Sequence, residues 1–136
     1  MISQPITILL VEDNLTTLAA SAKLLRMDGY LVHVAEGYQT AMNVAKQERL
    51  DLAICDINLW DGDGCDLLTE LQKLQPVRAI AVTGYTLPDE TEHYHDAGFS
   101  MVLRKPIHHS EIISAISLLL SSTLPASLSA LPVSPS

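Results

Sequence analysis

The chain predicts an α/β fold, a doubly wound parallel sheet with helices on both faces. Three observations carry that prediction. Five short apolar runs recur along the 136 residues: ITILLV (6–11), YLVHVA (30–35), DLAIC (51–55), RAIAV (78–82) and SMVLR (100–104). The first, third and fourth are apolar nearly throughout, which is the pattern of strands buried on both faces of a parallel sheet. Helix-length amphipathic segments separate the runs, and parallel strands joined by right-handed crossovers place such helices on both faces.

Each helical segment has its own signals. Residues 14–28 open at Asn14, a good N-cap, and put Leu15, Leu18, Ala22 and Leu25 on one face before stopping at Asp28–Gly29. Residues 37–49 turn Ala41, Val44 and Ala45 inward and carry Lys46 and Arg49 near the C-terminus, where cations suit the helix dipole. Residues 64–74 carry Leu67, Leu68, Leu71 and Leu74. Residues 87–97 begin Leu-Pro-Asp-Glu and end at Ala97–Gly98, a proline start and a glycine stop. Residues 108–122 carry Ile112, Ile113, Ile116, Leu119 and Leu120. This stripe is core first, and its apolar excess also suits a weak homodimer. Residues 123–136, TLPASLSALPVSPS, hold no charge and read as a disordered tail or linker after a domain spanning 1–122.

Composition excludes several classes. At 48% apolar and 18% charged, the chain is neither collagen-like nor disordered throughout. Sixteen acids against eight Lys and Arg give a net charge of −8, which repels phosphate backbones and argues against direct nucleic-acid binding. Cys55 and Cys65 form no CxxC pair and fit a reduced, cytoplasmic setting. The start MISQPITILLVEDN has no basic residue, which argues against a signal peptide, and no apolar stretch approaches ~18 residues, which argues against membrane insertion.

In an open α/β sheet, ligands bind beyond the carboxyl ends of the strands. The residues just past each run are therefore informative: Glu12–Asp13 after the first, Asp56 after the third, Thr83–Gly84 after the fourth, Lys105–Pro106 after the fifth. Glu36–Gly37 comes after the second run and lies to the side. Three converging carboxylates repel one another unless a cation sits among them, and all-oxygen ligands favour a hard ion such as Mg²⁺. A carboxylate can also attack phosphorus to form an aspartyl phosphate. Lys105 would neutralise the phosphoryl oxygens, Thr83 would hydrogen-bond one of them, and Gly84 would leave room beside them.

These residues resemble the receiver domain of two-component response regulators, including receivers attached to hybrid sensor kinases. The strings LLVEDN, ICDINLWDGDG, IAVTGY and AGFSMVLRKP carry the resemblance, in order and each at a strand end. It implies a flavodoxin-like strand order 2-1-3-4-5. It implies Asp56 as phosphoacceptor, Thr83 as switch hydroxyl and Lys105 as phosphate-binding cation, with a cis Lys105–Pro106 bond. For Mg²⁺ it implies Asp13 and Asp56 as ligands, Glu12 through water, and the Asn58 carbonyl. The phosphoryl donor would be a phosphohistidine on a sensor histidine kinase or histidine phosphotransfer protein. The domain would be a regulatory phosphoacceptor that assists its own phosphorylation and dephosphorylation, not an enzyme acting on a separate substrate.

Two positions depart from the family pattern. Val102 stands where an aromatic is usual, and Trp60 stands where Pro is frequent, exposed for partner contact. Tyr85 is read as lying over the site. An Asp-nucleophile phosphatase of haloacid-dehalogenase type is the alternative, but it wants a second Asp where Asn58 stands. A flavin-binding module wants a Ser/Thr/Gly-rich loop where EDNLTTL stands. His93, His95, His108 and His109 read as surface or cap residues, and Cys55 as a buried strand residue. Asp61, Asp63 and Asp66 read as a turn followed by a helix start, not as a cation loop.

Overall fold

A computed structural model describes residues 5–84 and 88–121. The elements run β1 (Thr7–Val11), α1 (Leu15–Met27), β2 (Leu31–Ala35), α2 (Tyr38–Gln47), β3 (Leu52–Asp56), β4 (Asn58–Leu59), β5 (Gly62–Asp63), α3 (Gly64–Leu74), β6 (Arg78–Thr83), α4 (Pro88–Asp96), β7 (Met101–Arg104) and α5 (His109–Ser121). The main sheet is parallel, in the order β2-β1-β3-β6-β7. Setting aside the small antiparallel pair β4–β5, this is the order 2-1-3-4-5 that the resemblance implies. The hairpin itself has no counterpart in the sequence reading, because two-residue strands carry no periodic signal.

Helices α1 and α5 cover one face, where Leu18, Ala22, Leu25, Ile112, Ala115 and Ile116 pack on Ile8, Leu10, Ile54 and Ile80. Helices α2, α3 and α4 cover the other, with Ala41, Leu67, Leu68, Leu71 and Tyr94 on Leu9, Val11, Ala53 and Ala81. All five residues of β3 are buried, so the central strand is shielded on both faces.

Several sequence expectations need correction. Leu15 is 61% exposed, since it starts α1 beyond Val11, where the sheet beneath has ended. Val44 does face inward, half-buried and packed against the core. Helix α2 ends at Gln47, because Glu48 is extended and its N–H closes the last turn on the Val44 carbonyl at 2.8 Å. Arg49 therefore lies past the helix, exposed, 4.0 Å from Asp51. Leu74 is exposed, whereas Ile113, Leu119 and Leu120 are half-buried and pack against the core as the stripe reading expects. Asn14 does cap α1, accepting the Thr17 N–H at 3.0 Å. Gly29 and Gly98 close α1 and α4 at φ 99° and 114°, a backbone region that side chains with a Cβ rarely adopt. Tyr85 and residues 123–136 lie outside the described residues. Among those described, no helix is long and apolar enough to cross a membrane.

Candidate functional site

Chain order puts β1 and β3 side by side while their connections leave in opposite directions, which opens a crevice at the carboxyl end of the sheet. Glu12 and Asp13 follow β1 directly, Asp56 ends β3, Thr83 ends β6, and Lys105 follows β7. Backbone bonds fix these ends. The Glu12 N–H donates to the Ala35 carbonyl at 3.1 Å, Ile57 N–H to Val82 at 3.0 Å, and Lys105 N–H to Thr83 at 2.8 Å.

The side chains of Glu12, Asp56 and Lys105 converge at this edge. Lys105 Nζ lies 2.9 Å from Asp56 Oδ2 and 3.1 Å from Glu12 Oε1. The second Glu12 oxygen accepts the Asn14 N–H at 3.0 Å, and Asp56 Oδ1 accepts the Asn58 N–H at 3.3 Å. Glu12, Asp56 and Thr83 are the buried polar residues among those described. Asp13 is half-buried and Asn58 exposed. The Lys105–Pro106 bond is cis. A Cβ on Gly84 would meet no atom of the described residues within 4 Å, so the space beside it is open.

Burial pushes the Asp56 carboxyl above its ordinary range. The Lys105 ammonium and the Asn58 N–H work against that rise, and the Glu12 charge adds to it. Burial works to lower Lys105, but hydrogen bonds and charge from Asp56 and Glu12 outweigh it, so its pKa is raised. Glu12, Asp13 and Asp56 each offer a carboxylate oxygen, and these oxygens lie within 4.8 Å of one another. That donor set fits a hard divalent ion, which needs few carboxylates and no nitrogen or sulfur.

Gly64 sets the floor of the site. A Cβ there would stand 2.6 Å from the Asp56 carbonyl oxygen and 2.8 Å from Ile57 Cα, and the Gly64 N–H donates to the Ile57 carbonyl at 2.7 Å. The acidic cluster nearby divides between two helices. Asp63 caps α3, accepting the Cys65 N–H at 2.6 Å and the Asp66 N–H at 3.3 Å. Asp61 instead accepts from Tyr38 and Gln39 at the start of α2, at 2.6 and 3.2 Å. The sequence alone groups all three acids in one turn and helix start, because no local signal ties Asp61 to a helix 23 residues earlier. Trp60, at the hairpin tip, is 73% exposed.

The remaining singled-out residues stay apart from this edge. His93 and His108 are exposed, His95 Nδ1 meets the Phe99 carbonyl at 3.0 Å, and His109 meets Asp28 at 2.7 Å. Cys55 and Cys65 are buried free thiols, and burial pushes Cys65 up to about 12. Val102 is half-buried beside the cluster that holds Tyr94 and Phe99.

Comparison with known proteins agrees with this geometry. Residues 8–117 match the model of the response regulator receiver domain. The chain is 32% identical to the transcriptional regulatory protein GlrR of Escherichia coli K12 over 93% of its own length and 29% of GlrR. It is also 32% identical to the signal transduction histidine-protein kinase BarA of the same organism, over 78% of its length and 12% of BarA. The chain thus spans less than a third of either relative. A response regulator from Burkholderia pseudomallei, solved with a phosphorylated aspartic acid, calcium ion and citrate, superposes with a TM-score of 0.76 at 26% identity, covering 81% of this chain and 65% of that one. The chain belongs to the response regulator receiver domains, the regulatory modules of two-component systems that are phosphorylated on aspartate.

Proposed function

We propose that Asp56 is the phosphoacceptor of this receiver domain and that Glu12, Asp13, Asp56 and the Asn58 carbonyl hold Mg²⁺ beside it. The observation that carries the reading is the Lys105 ammonium bridging Asp56 and Glu12 at the sheet edge. An Asp56 carboxylate oxygen attacks the phosphorus of a phosphohistidine on a sensor histidine kinase or histidine phosphotransfer protein. The P–N bond breaks, and the imidazole leaves with its electron pair. Bound Mg²⁺ would supply positive charge to the phosphoryl oxygens. Lys105, already at the carboxylate, moves to pair with the added dianion, and the Thr83 hydroxyl donates to one of its oxygens. Asp13 would contribute a direct ligand to Mg²⁺ and Glu12 would act through water.

On this reading the domain spans residues 1–122 with 123–136 as a linker or tail, works in the cytoplasm, and neither turns over a separate substrate nor binds nucleic acid directly. Weak self-association would use α5, where Leu118 is 63% exposed. Incubation with Mg²⁺ and a small phosphodonor tests the acceptor. Intact mass should show one base-labile phosphate on the wild type and none on Asp56→Asn. Full labelling of Asp56→Asn would overturn the assignment.

A further inference from the structure

The hairpin β4–β5 is fastened to the start of α2 by an interlocked contact that the site chemistry leaves unexplained. Asp61, at the hairpin tip, accepts the Tyr38 and Gln39 N–H groups at 2.6 and 3.2 Å. Gly37, which opens α2, has no side chain to cap the helix; the Thr40 hydroxyl accepts the Gly37 N–H at 3.1 Å, and the Tyr38 and Gln39 N–H groups are taken by this carboxylate from outside. The backbone N–H bonds hold Asp61 below the ordinary carboxylate range. The two glycines complete the fit. A Cβ on Gly37 would stand 2.6 Å from the Trp60 indole nitrogen and 2.7 Å from Asp61 Oδ1, and one on Gly62 would stand 2.7 Å from the Tyr38 ring. Each glycine thus makes room for side chains from the other segment.

Asn58 sits between two anchors. On one side the hairpin is pinned by the pairs Asn58–Asp63 and Leu59–Gly62 and by the Gly64–Ile57 bond. On the other it is pinned by Asp61 on α2. We propose that Asp61 is a positioning residue for the cation site: by fixing the hairpin tip to α2, it holds the Asn58 backbone at the edge of the carboxylate cluster. The proposal rests on the reading of Asp56 and Asn58 given above. A carbonyl ligand that must be ordered on binding gives weaker binding than one held ready, as with other groups that orient metal ligands from behind.

Calorimetric Mg²⁺ titration of the full chain separates the possibilities, with melting temperature and the phosphorylation rate at saturating Mg²⁺ measured alongside. Asp61→Ala should weaken Mg²⁺ binding about 10-fold, and phosphorylation should recover toward the wild-type rate once Mg²⁺ saturates. Asp61→Asn keeps one oxygen for the Tyr38 N–H and should fall between the two. Gly62→Ala displaces Tyr38 with no change of charge and should also weaken binding. Wild-type Mg²⁺ affinity in Asp61→Ala, with only its melting temperature lowered, would make Asp61 a helix cap and overturn the proposal. So would equal losses in Asp61→Asn and Asp61→Ala with none in Gly62→Ala, since that pattern is long-range charge alone. Absence of Mg²⁺ binding by the wild type would instead bring down the site reading, and this proposal with it.

Discussion

The Lys105 ammonium and the Asp56 carboxylate meet at 2.9 Å across 49 residues of sequence, joining the end of the central strand to the residue after the last one. Their contact balances a site that otherwise carries three carboxylates, and the consequences are measurable.

Removing the Asp56 charge should stabilise the unphosphorylated domain. The folded pKa of Asp56 lies above its ordinary value of 3.8, so the folded state favours the proton. Stability is then lost as pH rises from 3.8 through the raised value. Asp56→Asn removes that penalty. Thermal melts at pH 7 should show a higher Tm for the variant than for wild type. The gain should vanish below pH 3.8. A variant that melts lower than wild type at pH 7 would contradict the sign.

Removing the ammonium should do the reverse. Lys105→Ala leaves Glu12 and Asp56 facing each other, which should cost about 1–2 kcal/mol given the partial exposure of the lysine. The folded pKa of Lys105 is raised above 10.5, so its contribution is present below that pH and lost as pH climbs past it. Melting curves of wild type and variant should converge only above 10.5. Added Mg²⁺ should raise the Tm of Lys105→Ala more than that of wild type, because the cation supplies the missing charge.

Gly64→Ala tests the floor of the site. Its Cβ would lie 2.6 Å from the Asp56 carbonyl oxygen, which belongs to a buried strand and cannot retreat. Destabilisation of about 2 kcal/mol is expected by chemical denaturation, as for overpacking in general, together with slower phosphorylation. Unchanged stability would mean that the α3 start can slide away from β3.

Output should be local. Val102 pairs with Ala81 and is half-buried near Tyr94 and Phe99, and a β-branched side chain is restricted at χ1. It is too short and stiff to swing between two arrangements as an aromatic would. Beryllofluoride, a phosphoryl mimic, should therefore shift NMR resonances around Asp13, Asp56, Thr83 and Lys105 and leave sedimentation unchanged. Large shifts throughout α4, β7 and α5 with mimic-driven dimerisation would defeat this expectation.

Most of the fold is legible in the sequence because β1, β3 and β6 are near-continuous apolar runs, the helices between them are amphipathic, and α1 and α4 end at stop residues. The converging edge is legible for the same reason, since Glu12, Asp56, Thr83 and Lys105 each stand at the end of a run. The hidden part depends on contacts between distant segments. Asp61 reaches α2, and Gln75 accepts the Leu50 N–H at 2.8 Å while donating to the Ala45 and Glu48 carbonyls. A carboxylate or amide in a loop looks alike whether it faces water or another helix. Leu15 misleads for a related reason, since helical periodicity reports a face but not where the sheet beneath it stops.

The full burial of β3 has a last consequence, for the lifetime of the modified state. Amides of a central strand shielded on both faces exchange with solvent only when the whole domain opens. Asp56, the proposed acceptor, ends this strand, so local fraying elsewhere in the chain should not dismantle its side of the site. On the proposed reading, decay of the phosphorylated form should then depend on water reaching the phosphoryl group past the surrounding loops, so variants in those loops should change the half-life while leaving the protection of β3 amides untouched.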